Sequence, residues 1–260
     1  TVMQVENVRL DPDKLGELFK KERESYESKW DDIRIFIEFG MLTDEKFYDK
    51  ASKFYLFKSV DGKYYTIEEY KAKIEANQTN KDNKVVALYA SDEKEQHSFI
   101  ESAKNRDYDV VILEGQLSSH IVSKLEQKND TMTFARVDAD TMDKLIEKDE
   151  NLPSKLSEEE QTTLKPFIEG EVEKDKFTVQ FESMSENDQP MIITQSEFMR
   201  RMKEQQATGG GNMFGAMPEM YNLVVNSNHP IIGEIMTEAD ETKKKALINQ
   251  VVDLAMLSQN

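Results

Sequence analysis

Residues 85–137 read VVALYASDEKEQHSFIESAKNRDYDVVILEGQLSSHIVSKLEQKNDTMTFARV, and this stretch decides the fold class. Val85–Ala90 is an unbroken apolar run, as a strand buried on both faces requires. Asp92–Asn105 has helical spacing, with Phe99, Ile100 and Ala103 on the inner face. Tyr108–Leu113 is a second buried strand. Leu117–Gln127 is a second helix, with Leu117, Ile121 and Leu125 four apart. Thr131–Val137 is a third strand. Strand, helix, strand, helix, strand at this spacing predicts right-handed crossovers and a small parallel sheet.

Outward from this unit the chain changes character twice. Before it, residues 1–80 are read as helical. Asp11-Pro12 has the form of an N-cap followed by a first-turn proline. Leu15, Leu18 and Phe19 follow at helical spacing, the charged run Lys20–Glu27 continues that helix, and Trp30, Ile33, Phe36, Ile37 and Met41 extend the pattern. Gly40 either ends this helix or kinks it. Phe47, Ala51, Phe54, Tyr55 and Phe57 form a further apolar set before a turn at Asp61-Gly62, and Thr66–Glu69 has capping-box spacing. After the βαβαβ unit, residues 141–155 are a charged connection, with a domain boundary near 155. A second domain over 156–260 opens with capping-box spacing at Ser157–Glu160, before a helix that Pro166 interrupts. Strands are read at Phe177–Phe181, Met191–Thr194 and Tyr221–Val225, and a last helix at Glu241–Leu257. The fold class is therefore α/β and α+β: helices and a small αβα sandwich, then an α+β domain.

The chain has 260 residues and a net charge of −17, with a pI near 4.7. Nucleic acid is not an expected partner, because binding phosphates calls for clustered Lys and Arg. No run approaches the roughly 18 apolar residues of a membrane span. There are no cysteines, which removes disulfides, thiolate catalysis and Cys-based zinc sites and fits a reducing cytoplasm. The turn after the first strand, Ser91–Glu95, has no glycine fingerprint, and its acidic residues would repel a pyrophosphate. Asp138–Asp143 lacks the glycine and glutamate of a calcium loop. His97, His120 and His229 share no metal-ligand spacing and are read as surface or helix-capping residues. No nucleophile elbow is present. No catalytic, cofactor-binding or metal residue is assigned. An enzyme would have to use carboxylates such as Glu114 or Asp138 at the ends of the parallel strands.

Ser196–Met220 stands out. It holds Phe198, Met199 and Met202, then Gly209-Gly210-Gly211, then Met213, Phe214, Met217 and Met220. Methionine is flexible and polarizable, so such clusters suit surfaces that fit several partners, and a glycine triplet does not support a rigid helix. The segment is either a surface for other polypeptides or a core helix followed by a loop. The apolar stripe of the last helix is also too wide for one partner.

Several blocks, in order, resemble the ninety-kilodalton heat-shock chaperone family, in particular its bacterial branch, HtpG (high-temperature protein G). They are LFKKERESYESKWDDIRIFIEFGMLTDEKFYDKASKFYLFKS (18–59), YYTIEEYKAKI (64–74), VVALYASD, YDVVILEG, LEQKNDTMTFARVDAD (125–140), LKPFIEGEV (164–172), ITQSEFMRRMKEQQ (193–206), YNLVVNSNHPII (221–232) and INQVVDLAMLS (248–258). The resemblance implies an ATP-driven, homodimeric, cytoplasmic stress-response chaperone that binds partly unfolded client proteins. Residues 1–155 would be the C-terminal part of its middle domain, and 156–260 its C-terminal domain short of the last helices. The ATPase domain, with its ATP and Mg, lies outside this stretch, and Arg9 is not in the context of the family's ATP-sensing arginine. With the start at Thr1, this predicts a fragment of a longer protein, not itself an enzyme.

The resemblance places Phe198, Met199, Met202, Met213, Phe214 and Met217 on a client-contacting helix. It places Leu247, Ile248, Val251, Val252, Leu254 and Leu257 in a dimer bundle. A second client-contacting position, tryptophan in the family, is His120 here. The alternative is a non-enzymatic scaffold whose exposed Met-rich helix joins one fixed partner or itself.

Overall fold

The computed structural model describes residues 11–148, 152–201 and 220–258. The first helix, α1 (Pro12–Lys21), begins as its sequence dictates: the Asp11 carboxylate accepts from Asp13 N at 3.0 Å, and Pro12 occupies the first turn. The charged run does not prolong it. The backbone leaves helical geometry at Glu22 and restarts as α2 (Arg23–Glu27), followed by α3 (Trp30–Thr43) and α4 (Glu45–Ala51). Gly40 does not end α3. Its role is steric: a Cβ there would lie 2.7 Å from the Phe47 ring, so only glycine lets that ring close against the helix.

The next segment corrects the helical reading of residues 1–80. Leu56–Ser59 and Tyr64–Thr66 form a hairpin, β1 and β2, turned at Gly62, whose φ of +76° suits glycine. The capping box at Thr66 is present, with Thr66 and Glu69 exchanging bonds at the start of α5 (Ile67–Ile74). Next come β3 (Val85–Ala90), α6 (His97–Lys104), β4 (Val110–Ile112), α7 (Ser118–Lys128), β5 (Met132–Arg136) and the short α8 (Met142–Leu145). The sheet order is β2-β1-β4-β3-β5. β4, β3 and β5 are parallel, as expected, but β1 runs antiparallel to both β4 and β2, so the sheet is mixed and not purely parallel. The first crossover helix starts five residues later than its periodicity suggests. Gln96 Oε1 accepts from Ser91 N (2.7 Å) and Asp92 N (3.1 Å), holding residues 91–96 in a turn.

The two faces of β3 feed two cores. Val85, Ala87 and Tyr89 join an aromatic cluster, while Val86, Leu88 and Ala90 pack with Phe99, Ile100 and Val110. In the aromatic cluster Trp30 meets Tyr55 edge-on at 5.2 Å, Tyr55 meets Phe57 at 5.4 Å, and Phe57 meets Phe134 at 5.7 Å.

The second sheet has order β6-β8-β7, from Phe177–Glu182, Tyr221–Asn226 and Met191–Thr194. β6 is parallel to β8, and β7 antiparallel to it. It is covered by α9 (Glu158–Glu169), which has the Ser157/Glu160 capping box and passes through Pro166 without ending. Two more helices, α10 (Pro230–Thr237) and α11 (Glu241–Leu257), follow β8. His229 is a helix cap: its Nδ1 accepts from Ile231 N at 3.2 Å, and burial holds its pKa below the usual histidine value. This core is aliphatic, built on Ile168, Val179, Ile193, Leu223, Val225, Ile232 and Ile248. Among the described residues the chain is thus a mixed α/β structure with two sheets.

Candidate contact surface at residues 197–201

Between β7 and the undescribed stretch 202–219, residues 197–201 are helical. The turn leaves the second sheet at Thr194 and is drawn at once toward the first, because Gln195 N donates to Asp138 O at 3.1 Å. Three donors then converge on Glu197 Oε1: the Tyr89 hydroxyl at 2.8 Å, Arg200 Nη2 at 2.6 Å and Arg201 Nε at 2.6 Å. Arg200 Nη2 also donates to the Tyr89 hydroxyl, and its guanidinium lies 5.7 Å from the Tyr89 ring centre. Arg201 reaches α7 and β5, donating to Glu126 Oε2 at 2.8 Å and to Phe134 O at 2.9 Å. Burial would raise the Glu197 carboxyl, but the Arg200 and Arg201 charges outweigh it and hold it below the usual carboxylate range. The Tyr89 hydroxyl is pushed up by burial and by the Glu197 charge.

Phe198 lies on the other side of this latched turn, 70% exposed. Met199 beside it is half-buried. An aromatic that exposed, on a turn whose polar residues face inward, inverts the usual arrangement of a surface helix. Met202, Met213, Phe214 and Met217 lie outside the described residues.

The residues expected at a dimer interface divide. Ile248, Val251 and Val252 are buried in the aliphatic core of this chain, and Leu247 is half-buried, whereas Leu254 and Leu257 are exposed. His120 is half-buried on α7. Phe36, placed by spacing with the apolar stripe of α3, is exposed together with Ile35 and Phe39.

Glu114 and Asp138 do not converge on a cavity. Asp138 is bound by Arg136 at 2.5 and 2.7 Å, and Glu114 is exposed, its carbonyl accepting from Arg34. The cavities beside the second sheet, of about 380 and 300 Å³, are lined instead by groups such as Tyr108, Lys144 and Glu182, and His97, Asp140 and Gln189. Among the described residues no cluster of three His, Asp or Glu could hold a metal ion, and no helix is long and apolar enough to cross a membrane.

The sequence singles out Phe198 and Met199 by residue type, but not Glu197, Arg200 and Arg201, which hold their turn. Charged residues on a short helix read as a solvated face, and no local signal points to Tyr89, more than a hundred residues away.

The chain is thus a mixed α/β structure in which one exposed aromatic, Phe198, sits on a turn held by a charged cluster. The chain belongs to the Hsp90 protein family, whose model matches residues 8–259. It is similar to the chaperone protein HtpG of Porphyromonas gingivalis, 43% identical over 249 residues, covering 94% of this chain and 36% of that protein. It is also similar to that of Bacteroides fragilis, at 46% over 236 residues, covering 89% and 34%. The HtpG of Methylococcus capsulatus is 23% identical over 252 residues, covering 94% and 39%. The chain thus spans little more than a third of the length of these relatives.

Proposed function

We propose that this chain is the client-binding part of an ATP-driven, homodimeric chaperone, and that the turn at Phe198 and Met199 takes up apolar segments of partly unfolded polypeptides. The observation that carries this reading is Phe198, exposed on a turn that is otherwise locked by buried charges. Exposed apolar surface rimmed by polar groups marks interaction sites. Met202, Met213, Phe214 and Met217 are assigned the same client-contacting role. Residues 1–155 are then the end of a middle domain and 156–260 a C-terminal domain, with ATP and Mg handled by a domain outside this stretch. The chain acts in the cytoplasm, needs neither nucleic acid nor membrane, and does not itself turn over ATP.

Dimerisation through α11 rests on Leu254 and Leu257, since Ile248, Val251 and Val252 already serve this chain's own core. These two leucines also support the alternative of a self-associating scaffold. That alternative predicts no affinity for unfolded proteins in general.

The test is suppression of aggregation of a thermally unfolding protein by the chain. Phe198→Ser with Met199→Ser should weaken suppression severalfold, the scale on which interface anchors act. Unchanged suppression would overturn the site, and ATP hydrolysis by the chain would overturn the division of labour between domains.

A further inference from the structure

We propose that Glu197 is a positioning residue: by gathering Tyr89, Arg200 and Arg201 it fixes the direction in which Phe198 meets a bound polypeptide. This rests on the contact reading of Phe198 given above.

Phe198 is too exposed for packing to orient it. Its direction is set by its backbone, and that backbone is held by its neighbours in the turn. Glu197 Oε1 takes all three donors, while Oε2 is buried without a hydrogen-bond partner among the described residues. A buried charge network with one oxygen unused is a poor source of stability, because the desolvation of its ions is only partly offset. What it does supply is geometry. The hydroxyl of Tyr89 on β3 fixes Glu197, and Glu126 on α7 with the Phe134 carbonyl on β5 fixes Arg201, so three elements of the first sheet's layer locate one turn of the second. A contact residue held in its binding orientation loses less conformational freedom on binding, which strengthens binding without adding a contact.

The experiment uses the whole chain and, as probe, fluorescein-labelled lysozyme kept unfolded by reduction and carboxamidomethylation. Affinity is measured for Phe198→Ser, Glu197→Gln and the double variant, with Tyr89→Phe as a second, milder way to weaken the node. Amide exchange at Phe198 and Met199 is followed in the absence of probe. Phe198→Ser is expected to weaken binding about tenfold, and Glu197→Gln and Tyr89→Phe about threefold each. The double variant should match Phe198→Ser within about twofold, because Glu197 acts through Phe198. Exchange at Phe198 and Met199 should rise in both node variants and remain unchanged elsewhere. If Phe198→Ser weakens binding while Glu197→Gln does not, or if the two losses multiply, the positioning role is overturned and the contact reading stands. If Phe198→Ser leaves binding intact, the contact reading falls. Unchanged exchange at Phe198 and Met199 in Glu197→Gln and Tyr89→Phe would overturn the positioning role whatever the affinities are.

Discussion

The helix α3 and the turn at 197–201 both expose aromatic side chains, and they are held in opposite ways. α3 shows Phe36 and Phe39 to solvent while its inner face, Trp30, Ile37 and Met41, is sunk in the aromatic core. The turn at 197–201 shows Phe198 while its inner face is the charged set Glu197, Arg200 and Arg201. Apolar packing is non-directional and tolerates small shifts, whereas a node of charge-assisted hydrogen bonds fixes angles. Phe36 and Phe39 are thus carried by a helix held through apolar packing, and Phe198 by a turn held through charge.

The largest expected effect falls on α3. Trp30→Ala removes the ring at the centre of the Tyr26–Tyr55 stack and should cost about 3–5 kcal/mol in chemical denaturation. A loss of less than about 1 kcal/mol would show that the aromatic core does not hold this helix.

Next in size is the response to acid, which should differ in sign between the two segments. Glu197 is held below the usual carboxylate range, so its contribution is complete above the ordinary glutamate value of about 4.3 and is lost as pH falls through its lowered value. Glu38, under α3, is pushed up by burial, against the opposing pull of Arg34 and the Tyr55 hydroxyl. Its ionised form carries a penalty that is relieved as pH falls through its raised value. Amide protection, measured from pH 6 to 3 against the intrinsic exchange rate at each pH, should therefore fall at 197–201 while α3 keeps its protection or gains some. Loss of protection in both segments together would show that charge does not hold the turn at 197–201.

A smaller effect is expected at the helix starts. Ser157→Ala removes a capping box and should cost about 1 kcal/mol by thermal unfolding of the second sheet's layer, with α3 unaffected. The smallest belongs to the solvent face of α3: Phe36→Ser with Phe39→Ser should change stability by less than about 0.5 kcal/mol.

The comparison also marks what the sequence disclosed. β3 and β4 were legible because strands buried on both faces are continuous apolar runs, β5 from its place in the alternation of strand and helix, and the caps at Asp11, Thr66 and Ser157 because capping chemistry is local. The β1–β2 hairpin was not, because Leu56–Ser59 gains its meaning from pairing with Val111 and Ile112, some fifty residues on. Phe36 fits the helical spacing of α3 as well as Ile37 does, and the placement of α4 and α7 against the helix decides which one is covered. At the candidate site the apolar half was readable from residue type. The charged half depended on Tyr89 and Glu126, which only the tertiary fold brings to the turn.

Photo-cross-linking shows whether position 198 touches an unfolded polypeptide. A benzophenone side chain at position 198 of the intact chain, irradiated with unfolded carboxamidomethylated lysozyme, should form adducts that excess unlabelled unfolded protein competes away and that native lysozyme does not form. No adduct from position 198, or equal yields with native and unfolded lysozyme, would contradict the account.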